Sequence, residues 1–251
     1  MSVLPRDVPF NWSFLNNEAL GAAAGEIVVF ANDDMEMLST GWDDRLRGLL
    51  ARPEVGAVGA RLLYPDRTVQ HAGVLMGWKG SVIHDGLHEA EDAEGPGRRW
   101  AVTRATAAVT GAFLAARKAD VVAAGGLDDR FLPVAYSDID LALKLRARGL
   151  RILVTPRIEL IHHESKSRGL DHTDPARAAR NRAEAEVMAA RWGAAMIADP
   201  GRPPAYVQDT MPFRLIVAPS QAIVLDHIRL TAAPNLWATA AIDPALPHPP
   251  V

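Results

Sequence analysis

The sequence predicts an α/β protein with a mixed, mainly parallel sheet flanked by helices. Three observations carry this. Short β-branched apolar runs alternate with helical segments. After Glu26, the run in EIVVFA is apolar from Ile27 to Ala31, as strands covered on both faces are. The first of these runs stops at Asn32, Asp33 and Asp34, at the carboxyl end of a strand, where such sheets gather ligands.

The elements follow in order. NEALGAAAG is Ala-rich and reads as a helix stopped by Gly25. EIVVFA is the first strand. Thr40 stands as the cap of a helix over GWDDRLRGLLARP, whose Trp42, Leu46, Leu49 and Leu50 fall near helical spacing. EVGAVGARLLY is a strand turned at Pro65-Asp66, and TVQHAGVLMG is a further extended segment. Residues 84–99 are polar, glycine-rich and aperiodic, a mobile surface loop with Trp100 as its anchor. AAVTGAFLAAR returns to strand character, and KADVVAAGG is a short helix ended by glycines. DIDLALKLRARG is an amphipathic helix, with Ile139, Leu141, Leu143 and Leu145 interleaved with charges. RILVTP is a strand ended by proline. DPARAARNRAEAEVMAARWG is a helix with Asp174 as cap, Pro175 in its first turn and Gly193 as its stop. Residues 1–199 thus form one domain, and the proline-rich residues 200–251 form an extended tail.

A chain of 251 residues, 49% of them hydrophobic, can build one sizeable core. A net charge of −3 argues against a nucleic-acid partner. With no cysteine, disulfides and thiolate metal sites are excluded, which fits a reducing compartment. The first residues lack the apolar core of a signal peptide, and no run approaches the ~18 apolar residues of a membrane-spanning helix. The expected location is the cytoplasm, extending to the inner face of the membrane.

Three groups of residues can carry chemistry: Asp33-Asp34, Asp138 at the start of a helix, and His162-His163 beyond a strand. A carboxylate with a neutral imidazole suits a divalent cation, whose open positions phosphate oxygens commonly fill. Each group has a plainer alternative. Paired aspartates cap turns, an aspartate at position 138 suits a helix N-cap, and adjacent histidines are mostly surface residues.

The order and spacing of five segments add to this reading. They are FNWSFLNNEALGAAAGEIVVFANDDMEMLSTGW, VGAVGARLLYPDRTVQHAGVLMG, VTGAFLAARKADVVAAGGLDDRF, YSDIDLALKLRARGLRILVTPRIELIHHESKSRG and MAARWG. Together they resemble family 2 glycosyltransferases of the rhamnosyl- and galactofuranosyltransferase kind. The resemblance implies a GT-A fold, a nucleotide-sugar donor, a saccharide or lipid-linked acceptor, and Mn2+ or Mg2+. It implies Asp34 and His162 as metal ligands, with Asp33 and Asn32 beside the donor and Asp138 as catalytic base. Ser137 stands where family members often carry Glu, Asp or Asn. Gly111 would let backbone approach the sugar, and Gln70 and His71 would lie near a sugar. The resemblance also implies that the N-terminal part of the fold, which recognises the nucleotide, is missing. The expected consequence is an exposed apolar edge, completed by a second copy or a partner chain. Two rivals are a non-catalytic remnant that binds a partner or glycan, and a metal-dependent hydrolase.

Overall fold

The computed structural model describes residues 3–163, 174–207, 210–232, 235 and 237; the rest of the proline-rich tail lies outside them. The chain runs α1 (Trp12–Ala22), β1 (Ile27–Ala31), β2 (Met35–Met37), α2 (Trp42–Leu50), β3 (Val55–Leu63), β4 (Val69–His71), β5 (Val74–Trp78), β6 (Ser81–His84), β7 (Arg104–Thr106), β8 (Phe113–Arg117), α3 (Lys118–Ala123), α4 (Ser137–Ala147), β9 (Arg151–His162), α5 (Pro175–Trp192) and α6 (Gln221–Thr231).

The main sheet has the order β1-β8-β3-β9-β2, with β4 beside β3 and β7 beside β9. Only β3 and β9 run parallel; β1–β8, β8–β3, β9–β2, β3–β4 and β7–β9 are antiparallel. The mixed α/β sheet flanked by helices is as expected, but it is not mainly parallel. The apolar run of β3 is buried at every residue, whereas that of β1 leaves Val29 and Ala31 exposed and is covered on one face only. That burial says nothing about strand direction. One core packs on the Ala57 face with α4 and Trp192, and a second on the Val58 face with α2.

Several local expectations change for physical reasons. Helix α1 begins at an Asn11 cap, whose side chain accepts from the Phe14 amide at 2.8 Å, and it ends at Ala22 without a glycine stop. Gly41, left-handed at φ 63°, caps α2 in place of Thr40. Strand β9 continues through Pro156 to His162 because the register with β3 shifts at that point. A bulge tolerates the missing amide of proline. In α4 the charged Asp140 and Arg146 are buried with the apolar residues. Asp140 accepts from Arg191 and Trp192, each at 2.8 Å, which staples α5 to α4. In α5 the Asp174 cap and the Gly193 stop stand as expected.

The loop over residues 84–99 is not a mobile solvent loop. Asp85 is fully buried and accepts from Arg99 (2.8 Å), Arg104 (2.6 Å) and the Trp100 indole (2.7 Å). Burial brings the Arg104 guanidinium down to about 10, so it stays charged at neutral pH beside its carboxylate. Asp85→Ala leaves two guanidiniums without their anion. The expected cost is about 3–5 kcal/mol, a fall in Tm on the order of 10 °C by calorimetry. An unchanged Tm would show that the ring of contacts holds nothing.

Just beyond Asp199 the chain stays against the domain. The buried Asp199 carboxylate accepts from the Met76 (2.9 Å) and Gly201 (2.7 Å) amides, and burial raises its pKa. The Trp78 indole donates to the Thr210 carbonyl at 2.8 Å. Helix α6 buries no residue. At the other end of the sheet, β1 exposes Val29 and Ala31, and residues Val3, Leu4, Val8 and Phe10 are exposed before α1. No helix among the described residues is long and apolar enough to cross a membrane.

Candidate active site

A cleft of about 830 Å³ opens at the end of β1. Its walls include Asn32, Asp33, Asp34, Gln70, Gly111, Ser137, Asp138 and His162. Of the site residues singled out in the sequence, His71 and His163 are not part of this wall.

Strand pairing explains the convergence. Strand β2 runs antiparallel to the end of β9, with Met35 opposite His162. The residue before Met35 is Asp34, and its carbonyl accepts from the His163 amide at 3.0 Å. The Asp34 and His162 side chains therefore meet, with Oδ1 3.2 Å from Nε2. On the far side of the ring, His162 Nδ1 lies 2.7 Å from Gln70 Oε1. Since Oε1 can only accept, Nδ1 carries the proton, and the Nε2 lone pair faces Asp34 and the Asn32 amide (3.1 Å). Asp34 Oδ1 is buried and has no hydrogen-bond partner among the described residues.

An orphaned carboxylate oxygen beside an imidazole lone pair, with the tautomer fixed from behind, fits a divalent cation. Among the described residues no cluster of three or more His, Asp or Glu side chains forms, so two protein ligands would leave open positions. Loading the site means that Asn32 gives up its contact with Nε2. His84 also lines the cleft, and its Nδ1 pairs with the Gln70 carbonyl at 3.1 Å.

Asp138 stands in the first turn of α4, with Oδ2 accepting from the Gly111 amide (2.7 Å) and Oδ1 from the Ile139 amide (2.8 Å). Each oxygen keeps a second lone pair. Burial raises its pKa; the two amides and the nearby His84 pull the other way. The preceding Tyr136 is left-handed at φ 59°, unusual for a residue with a side chain, and it lines the cleft. Its strained backbone turns the chain into α4 and aims Asp138 at the cleft.

Two expectations shift here. His71 is fully buried and accepts from the Thr110 amide at 3.5 Å. Burial lowers its pKa well below 6.5, so it is a neutral prop behind the Thr110-Gly111 turn rather than a group at a sugar. At Gly111, a Cβ would come within 2.7 Å of the Trp12 ring, so this glycine is required first by packing. The sequence reading did not single out Phe10, Trp12, Tyr136, Arg177 or Arg180, all of which line the cleft. The one available signal was Arg177 and Arg180, one turn apart on the helix that follows His162.

No family model matches the chain. It is 44% identical over 196 residues to uncharacterized protein y4gI of Sinorhizobium fredii, covering 78% of this chain and 22% of that protein. It is 43% identical over 166 residues to the O-antigen biosynthesis protein RfbC of Myxococcus xanthus, covering 66% of this chain and 13% of that protein. The chain thus spans less than a quarter of the length of these relatives. Among solved structures it is similar to GalNAc-T7, crystallised with UDP, GalNAc and Mn2+, at a TM-score of 0.56 and 11% identity. That match covers 77% of this chain and 37% of the other.

Proposed function

From a chain with the GT-A-like glycosyltransferase fold, homologous over 66% of its length to an O-antigen biosynthesis protein, we propose an inverting, metal-dependent glycosyltransferase. It moves a sugar from a nucleotide-sugar donor to a saccharide or lipid-linked acceptor in polysaccharide biosynthesis, on the cytoplasmic side of the membrane. Residues 1–199 carry the reaction, and residues 200–251 are a C-terminal extension.

One observation carries the reading. The orphaned Asp34 oxygen and the Nε2 lone pair of His162 face one another in the same cleft as Asp138. Asp34 and His162 would hold Mn2+ or Mg2+. A cation there supplies charge stabilisation for the departing diphosphate. Gln70 keeps the His162 ring in its ligating tautomer, and Asn32 and Asp33 border the donor. Asp138 takes the proton of the acceptor hydroxyl, whose oxygen attacks the anomeric carbon. The anomeric C–O bond breaks with its electron pair passing to the β-phosphate oxygen, which inverts the centre without a sugar–enzyme intermediate. Gly111 and Ile139 hold the Asp138 carboxylate in place through their amides.

The test is calorimetry with UDP-, GDP- and dTDP-sugars plus Mn2+, followed by transfer assays with any donor that binds. Metal-dependent uptake of one donor and formation of a glycoside of inverted configuration are expected. Absence of binding with every donor would favour the non-catalytic remnant.

A further inference from the structure

The acidic residues of the cleft raise a question of charge. Asp33, Asp34 and Asp138 outweigh one divalent cation, so a diphosphate would still meet a net negative wall. Something else must be positive. Arg177 and Arg180 stand in the first turns of α5, three residues apart on one face, and both line the cleft. Two guanidiniums reverse the sign of the wall.

Their placement is built, not incidental. Glu184 is buried, and its Oε1 lies 3.4 Å from Arg180 Nε. Its other oxygen accepts from the Val134 and Ala135 amides, in the segment that leads directly to Tyr136 and Asp138. One carboxylate therefore stands beside the arginine and accepts from the loop that delivers the base. Arg177 is restrained in turn by Asp174, with Nε 3.7 Å from Oδ2. Helix α5 as a whole is fastened to α4 through Asp140, which accepts from Arg191 and Trp192. The arginine wall and Asp138 thus belong to one rigid unit.

We propose that Arg177 and Arg180 form the anion subsite for the donor's diphosphate, with Glu184 as the positioning residue for Arg180. The planar guanidinium matches phosphate oxygens with paired hydrogen bonds, which a cation alone cannot do. The inference rests on the glycosyltransferase reading of the cleft. It adds that the leaving diphosphate is held from two sides.

Inorganic pyrophosphate is the probe, titrated into the full chain by calorimetry with Mn2+ and with chelator. Arg177→Gln and Arg180→Gln are each expected to weaken pyrophosphate about tenfold, the usual scale for one charged hydrogen bond. The Mn2+ affinity of both variants should stay within about twofold of wild type. Glu184→Gln should weaken pyrophosphate less than Arg180→Gln does, since it leaves the guanidinium in place but unrestrained. Arg177→Gln decides the matter should Arg180→Gln misfold. Wild-type protein that binds no pyrophosphate, or an Arg177→Gln variant with unchanged affinity, overturns the subsite. Wild type that transfers sugar while the arginine variants keep full pyrophosphate affinity overturns the subsite alone. Arginine-dependent pyrophosphate binding without sugar transfer supports the subsite and removes the enzyme reading.

Discussion

Asp34→Ala is expected to abolish metal-dependent donor binding and to lower the transfer rate by at least ~10²-fold. The reason is geometric. Asp34 Oδ1 is buried without a hydrogen-bond partner among the described residues, an arrangement that costs stability unless a cation completes it. The same fact predicts an effect independent of activity. Without metal, the variant loses a poorly satisfied buried charge, so its Tm should not fall. Wild type with Mn2+ at about 100 times Kd should gain about 2.7 kcal/mol, several degrees in Tm, and Asp34→Ala should gain none. Thermal unfolding with and without Mn2+ reads both. A variant that keeps the metal-induced rise would remove Asp34 from the cation site.

The second large effect belongs to Asp138. Asp138→Asn should lower turnover by about 10²–10⁴-fold, the range of general-base catalysis, and leave metal-dependent nucleotide binding near wild type. The pH dependence has a definite sign. Burial shifts the carboxyl upward from its ordinary 3.8, so its proton comes off at a higher pH than in solution. The base works only when deprotonated. The rate should therefore fall as pH drops through that raised value, and the acid limb should vanish in the Asn variant. Rate against pH, measured at saturating donor and Mn2+, separates this from a cap. If Asp138 serves only to hold the Gly111 and Ile139 amides, Asp138→Asn keeps near-normal rates and the same profile.

Much of the site could be read along the chain because strand ends and helix starts are local features. Asp34 follows an apolar run that stops, and Asp138 opens a helical pattern. Their meeting with His162 was not local, since it depends on the β2–β9 register. The sequence also misled at Gln70-His71, where neighbours along the chain were given the same role. Successive strand residues point to opposite faces. Gln70 reaches the cleft, and His71 is buried behind it. Sheet direction was misread for a related reason, because hydrophobic pattern records what covers a strand and not which way its neighbour runs. Arg177 and Arg180 sit in a helix where Arg182 and Glu186 are ordinary solvent groups while Glu184 and Arg191 are packed inside. Periodicity alone does not separate the two kinds.

The buried Asp85, gripped by Arg99, Arg104 and Trp100, has a consequence for how the chain around it can move. These contacts draw the two ends of the 84–99 stretch together, so it is a closed loop tied at its base. Any movement of this loop has to pivot about that buried carboxylate rather than carry it along.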